Sequence, residues 1–338
     1  MAKQLSRVLV TFGTAADGRL GLGFPLASQL YPRIVSSLSG YSVKQVACGG
    51  AHTAVVTDDG TLFTFGLNTS GQLGHSKEDK YVAAPIEVGL PDPVAAVAAG
   101  GQHTLALTIR GYVGVELTPR RVRALLGTRL AALAAGPFSS GAVDAHGTAH
   151  VWGAGCSWQL GTGQARDELT PVRLTSLPGD VESLALGQQH SLFVLRDGRT
   201  LVAGSDDHGS LGSGEELLRQ RVARQPSQVA GLPPAAAAAV GWRHCAVAGR
   251  DGKLFTWGWC GAAGMGGYQD YGGGQLGLGD EADRWAPAQV LRLFTSRHRY
   301  YDLRAPHLPP WRVLAVAAGR NHTAAVVEAQ LDFRDLAD

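Results

Sequence analysis

The residues predict an all-β fold, a closed β-propeller forming a single domain over residues 1–338. Three observations lead there. A glycine stands three residues before a histidine at Gly49/His52, Gly100/His103, Gly187/His190, Gly241/His244 and Gly319/His322, and the first two histidines are 51 residues apart. A second landmark, a G-x-L-G turn, recurs between these copies. Forty-six glycines, sixteen prolines and a charged fraction of only 17% suit short strands and tight turns better than long amphipathic helices.

The stretch "VACGGAHTAVVTDDGTLFTFGLNTSGQLG", residues 46–74, shows one unit in order. A first strand runs into Gly-x-x-His, and a second strand leaves the histidine. A hairpin signal follows, at Asp58 here and at His146, Arg196 and Arg250 elsewhere. The third strand ends in a glycine, as in "LFTFG", "AHVWG" and "LFTWG". Next comes the turn, "GRLG" at Gly18, "GQLG" at Gly71, "GSLG" at Gly209 and "GQLG" at Gly274, with "WQLG" at Trp158 as a variant. The fourth strand carries a proline ten to fourteen residues past the turn: Pro32, Pro85, Pro171, Pro226 or Pro287. Four short strands are the size of one propeller blade.

A further copy, "LAAGPFSSGAVD", keeps Gly136 but has Ser139 in place of histidine, so six units are counted. The unit after His103 is truncated over 109–122. Gly49 to Pro85 is 36 residues, whereas Gly100 to Pro119 is 19, and no G-x-L-G turn remains. The chain opens mid-unit with "LVTFGTAADGRLGLG" and stops after the half-unit "VAAGRNHTAAVV". Residues 7–36 and 313–328 are therefore expected to share one blade, which closes the ring and removes open sheet edges.

Several function classes are disfavoured. A net charge of +2 gives no global field for nucleic acid or an anionic membrane. The longest apolar run, Ala235–Val240, is far too short to span a bilayer. The first strand begins near Arg7 and leaves no room for a leader, so a cytoplasmic or nuclear protein is expected; a mitochondrial or plastid address requires a transit peptide already removed. Cys48, Cys156, Cys245 and Cys260 form no C-x-x-C pair and read as buried reduced thiols. One histidine per blade is too dispersed to ligate a metal ion, and the five Gly/His pairs are read as structural. The glycines lack G-K-[ST], Ser157 lacks G-x-S-x-G spacing, and Asp206 and Asp207 occupy a turn that favours Asp for backbone reasons. No catalytic residue, cofactor or metal is expected.

Binding is expected where the chain departs from its own repeat. His244 and His322 lie 78 residues apart, an excess that divides into two insertions. The first, 259–273, contains Tyr268 and Tyr271. The second, 291–312, interleaves Arg297, Arg299 and Arg304 with Tyr300, Tyr301 and Trp311, a mixture suited to RNA or to an acidic protein surface, though its aromatics also suit packing on their own blade. A third departure, "PRRVRALLGTR", gathers Arg120, Arg121, Arg123 and Arg129 beside the truncated unit.

The 46–74 stretch resembles the repeat of the regulator of chromosome condensation superfamily, and the likeness extends over essentially the whole chain. It implies a propeller, usually of seven blades. Two readings of the six units stand: a divergent ring, or a sequence lacking one exon. Members act as an exchange factor for a small GTPase, a plant UV-B photoreceptor, or partners in ubiquitin ligation and organellar RNA or ribosome biogenesis. The long loop after "LFTWGW" is similar to organellar members, whereas photoreceptor likeness is limited to one "GWRH" at Gly241–His244. The expectation is a monomeric, non-enzymatic propeller binding protein or RNA through its loops, with organellar RNA processing or ribosome assembly as its setting. The alternative is a small-GTPase exchange factor.

Overall fold

A computed structural model describes all residues except 1–3, 25–27, 76–78, 110–112, 115–122, 126, 207, 215–221, 262–272, 295–299, 305–310 and 332–338. Among the described residues strands dominate, with three short 3-10 turns and no helix long and apolar enough to cross a membrane. Val43–Cys48, His52–Thr57, Leu62–Leu67 and Tyr81–Glu87 form a four-stranded antiparallel meander. The same order recurs over 130–173, 181–228 and 235–289, while Val94–Ala99, Thr104–Thr108 and Val113–Gly114 make a three-stranded sheet.

The two chain ends share a sheet, as expected. Gln4–Thr14 pairs with His322–Leu331 continuously from Gln4↔Leu331 to Gly13↔His322. Ser28–Ile34 flanks one side and Trp311–Ala318 the other. The architecture is an all-β propeller.

Strand alternation gives each sheet two apolar faces, and the core lies between successive sheets rather than at one centre. Val43 and Val46 pack on Leu9, Ala324 and Val326 of the terminal sheet, whereas Ala54 and Val56 on the other face cover Val94 and Val97 of the three-stranded sheet. Equivalent clusters join 130–173 to 181–228, 181–228 to 235–289, and 235–289 to the terminal sheet. Among the described residues no cluster joins the three-stranded sheet to 130–173, so packing all round the ring is not observed.

The two sequence landmarks meet at these junctions. His52 Nε2 donates to Thr104 Oγ1 of the next sheet at 2.8 Å, and that hydroxyl donates at 2.8 Å to the Gln72 carbonyl, in the G-x-L-G turn of the histidine's own unit. His244 and the Gln275 carbonyl hold Thr323 in the same way, at 2.9 and 2.8 Å. His322 and the Arg19 carbonyl hold Thr53, and His190 and the Ser210 carbonyl hold the Cys245 thiol. At these four junctions the first residue after a histidine, Thr104, Thr323, Thr53 or Cys245, is thus held by both landmarks of the preceding unit. The glycine three residues earlier leaves room for this: a Cβ on Gly49 would strike the His52 ring and the Gly100 carbonyl, and one on Gly241 would strike His244 and the Gly319 carbonyl.

Two junctions depart. Ser139 cannot span to Ser191, and both buried hydroxyls lack a partner; Gln159 Nε2 donating to the Gln188 carbonyl at 3.2 Å and apolar packing hold that junction. His103, expected to be buried like its equivalents, is exposed. The segment after it contains no G-x-L-G, so the carbonyl half of the clamp is missing. On the opposite edge of the sheets Arg196 donates to the Ala145 carbonyl and Arg250 to the Arg196 carbonyl, tying successive hairpins together. All four cysteines are free; Cys245 and Cys260 are buried as expected, whereas Cys48 is half-buried and Cys156 exposed.

Burial pulls His52 and His190 down to about 4 and His244 to about 3, with a neighbouring histidine's charge adding at His52 and His244. The unfolded chain takes up these protons near pH 6.5 and the folded chain only at lower pH, so this stability is complete above about pH 6.5 and is lost as pH falls towards 4. Denaturation at pH 5 should show about 1–2 kcal/mol less stability per buried histidine than at pH 7; a flat profile contradicts the neutral clamp. His244→Ala should cost about 2–4 kcal/mol and the exposed His103→Ala under about 0.5. Equal costs contradict the difference between the junctions. Deleting residues 1–24 should abolish the cooperative melt, and a truncated chain that melts like the intact one contradicts the shared terminal sheet.

Candidate binding surfaces

The second insertion builds an annex on the terminal sheet. Arg292–Phe294 and Tyr300–Asp302 pair antiparallel, and the first of them lies parallel to Ser28–Ile34 through Arg33↔Phe294. Alternation sorts its side chains. Leu293 is buried and Tyr301 packs with it on the core around Val8, Val10 and Ile34. On the other face Tyr31, Phe294 and Tyr300 stack in series, with centroids 5.0 and 5.7 Å apart. The Arg292 guanidinium lies 5.5 Å from the Tyr31 ring and 5.3 Å from the Tyr300 ring, and donates to the Tyr31 hydroxyl at 2.9 Å.

The expected contact residues therefore separate. Tyr300 is 53% exposed and forms the outer end of the stack. Tyr301 packs inward, and Trp311 belongs to the inner strand Trp311–Ala318 and packs on the same core rather than projecting from the insertion. Arg304 is exposed but held by Asp302 through two bonds of 2.8 and 2.6 Å, which keep that carboxyl well below the ordinary carboxylate range. Arg297, Arg299, Tyr268 and Tyr271 lie outside the described residues, as do Arg120 and Arg121 and the side chain of Arg123; Arg129 is exposed.

A second surface was missed by the sequence reading. It forms at the positions between glycine and histidine, which every unit presents at one end of its sheet. Arg320 lies 3.7 Å over the Trp242 ring, joining neighbouring units by a cation–π contact. Arg243 lies 5.8 Å over Trp259 and donates to His208 Nε2 at 3.2 Å. His208 Nδ1, the nitrogen facing a carboxylate and hence the protonated one, donates to Asp283 Oδ2 at 3.0 Å. Burial raises the Asp283 carboxyl, but the His208 and Cys260 hydrogen bonds outweigh it and hold the group below its ordinary value. Asp206 accepts from the backbone N–H of His208 and Ser210, which fixes the imidazole's place.

This half-buried row, Trp242, Arg243, Arg320, Trp259, His208 and Asp283, offers planar cations, indole edges and one imidazole–carboxylate pair. Such groups suit recognition of a protein surface, because their rotamers are already fixed by packing. The signal that could have found it is in the sequence: the paired positions read Gly50-Ala51, Gly101-Gln102, Gln188-Gln189, Trp242-Arg243 and Arg320-Asn321, and only the last two pairs carry arginine.

Comparison with known proteins agrees with the architecture. The regulator of chromosome condensation repeat profile matches residues 9–56, 59–107, 146–194 and 251–326, well over half of the chain, and leaves the truncated unit unmatched. The Ultraviolet-B receptor UVR8 of Arabidopsis thaliana is 29% identical over 95% of this chain and 71% of its own length. The secretion-regulating guanine nucleotide exchange factor of Bos taurus is 32% identical over 74% of this chain and 59% of its own. The crystal structure of Prp20p from Saccharomyces cerevisiae, described with its binding to Gsp1p and histones, superposes with a TM-score of 0.69 over 98% of this chain and 93% of that one; at 18% identity the likeness is one of fold.

Proposed function

The chain belongs to the regulator of chromosome condensation repeat family, and from that premise we propose that it is a non-enzymatic scaffold whose partner is a protein docked on the row of Trp242, Arg243, Trp259 and Arg320. The observation that carries this reading is the pair of guanidinium–indole contacts at neighbouring units, 3.7 Å for Arg320 on Trp242 and 5.8 Å for Arg243 on Trp259. Tryptophan and arginine dominate binding energy at protein interfaces, and these side chains would lose little freedom on docking.

A second reading is exchange activity on a small GTPase. A relative named as a guanine nucleotide exchange factor favours it. Exchange works by stabilising a nucleotide-free partner, so it needs a rigid docking face and no catalytic group of its own. The insertion's exposed Tyr300 and half-buried Arg292 are the described part of the surface that an RNA partner, in an organelle, would use. The protein acts as a monomer in each of these readings.

Affinity capture from cell extract with the intact chain and with Arg243→Ala/Arg320→Ala tests the assignment, with and without ribonuclease. The expected outcome is a partner that survives ribonuclease and binds the double variant about tenfold or more weakly, since loss of one interface anchor costs about 1–2 kcal/mol. Capture abolished by ribonuclease and unaffected by the two changes moves the function to RNA and overturns the protein reading. A nucleotide-release assay over a panel of small GTPases decides the second reading, which stands only if release accelerates and the double variant loses the effect.

A further inference from the structure

We infer that His208 is a proton-operated latch: its neutral imidazole fixes the Arg243 guanidinium in the arginine–tryptophan row, and protonation releases Arg243 while His208 stays in place. The latch is a property of the free chain and does not depend on what docks on the row.

His208 holds a position that the other units leave small. The residue before the G-x-L-G turn or its variant is Asp17, Ser70, Ser157, His208 or Gly273, and only His208 brings two ring nitrogens. Asp206 accepts from the backbone N–H of His208, Gly209, Ser210 and Leu211, so the ring leaves a fixed turn. Nδ1 donates to Asp283 Oδ2 at 3.0 Å and Nε2 accepts from Arg243 Nη1 at 3.2 Å, both residues of the following unit. Asp283 is itself anchored, because its Oδ1 accepts from the Cys260 N–H at 2.9 Å. The register Gly153↔Glu168 and Gly258↔Arg284 makes Asp167 its counterpart. Asp167 accepts from Gly155 and Cys156 of its own unit, whereas Asp283 gives its second oxygen to a neighbouring one.

The two contacts respond oppositely to a proton. A neutral imidazole has one N–H, here given to Asp283, and one lone pair, here facing Arg243. Protonation converts Nε2 into a donor, so two donors and two positive charges meet where a hydrogen bond stood. The Asp283 bond becomes an ion pair and strengthens. Arg243 has no substitute for its loss: among the described residues its guanidinium donates to His208 alone, its Nε is buried without a partner, and the Trp259 face 5.8 Å away offers no lone pair. The other charged groups beside the latch are committed elsewhere. Asp206 serves the amides of its own turn, Arg284 donates to Asp280 and to the Ala282 carbonyl, and the Cys260 thiol donates to the Glu281 carbonyl; Asp207 lies outside the described residues. The His208 and Asp283 side chains are 20% and 27% exposed, enough for solvent protons to reach the ring without opening the junction. Imidazoles titrate between about pH 8 and 5, whereas carboxylates and guanidiniums keep their charge there.

The test is nuclear magnetic resonance of the full chain, isotopically labelled at histidine and arginine nitrogens and titrated from about pH 8 to about pH 5. At the alkaline end the His208 ring is expected as the Nδ1–H tautomer. On acidification the Arg243 Nε–H signal should shift with the same midpoint as the His208 ring, and its exchange with water should accelerate. In His208→Gln, whose amide oxygen accepts from Arg243 at every pH, the Arg243 signal should keep its alkaline position. In Asp283→Asn the midpoint should fall, because the carboxylate that favours the imidazolium is gone. Arg292, which donates to the Tyr31 hydroxyl, is the reference signal and should not move. An Arg243 signal that stays still while His208 titrates overturns the inference. So does a His208 ring that takes up no proton, an Nε2–H tautomer at the alkaline end, or an acid shift that persists in His208→Gln. Movement of Arg243 and Arg292 together denotes loss of the fold rather than release of one side chain, and also overturns it.

Discussion

The clamp from a buried histidine to the first hydroxyl of the next unit is the interaction on which the remaining architecture depends. Sheets packed face to face by alanine and valine could slide, because such contacts are non-directional. His52, His244 and His322 remove that freedom by donating to Thr104, Thr323 and Thr53, hydroxyls already committed to carbonyls of the preceding turn. Burial keeps these imidazoles neutral, because the charged form would lose its solvation inside the junction. The clamp also requires the backbone of one unit to approach the ring of another, which explains glycine at Gly49, Gly241 and Gly319.

The clamp has two halves in the sequence, and losing either has a local consequence. Ser139 replaces the histidine half, and the junction survives on apolar contact with two hydroxyls left without partners. The turn half is deleted after His103, and there the imidazole and the facing strand are both exposed. Sequence irregularity thus becomes exposed apolar surface, at Leu133 and Phe138.

Much of the fold was legible because it rests on short-range chemistry repeated many times: strand alternation, hairpin signals and glycine turns. The pairing of Gln4–Thr14 with His322–Leu331 followed from complementary half-units. Continuous closure did not follow, because a strand pattern states which faces are apolar and not whether the neighbour reaches them. Of the site, Tyr300 was found where expected, but Tyr301 and Trp311 turned inward, since the annex Arg292–Phe294 and Tyr300–Asp302 obeys the alternation of the sheet it extends. The row of Trp242, Arg243 and Arg320 was hidden because its members come from different units and meet only through the ring's geometry.

Amide hydrogen exchange across the inner strands is the most direct measure of whether clamping and packing are distributed as described. The account predicts fast exchange through Leu130–Ala135, and slow, cooperative exchange through Val43–Cys48, Val181–Leu186, Ala235–Val240 and Trp311–Ala318, whose forward faces are covered. Protection of Leu130–Ala135 equal to that of the other four strands would contradict it.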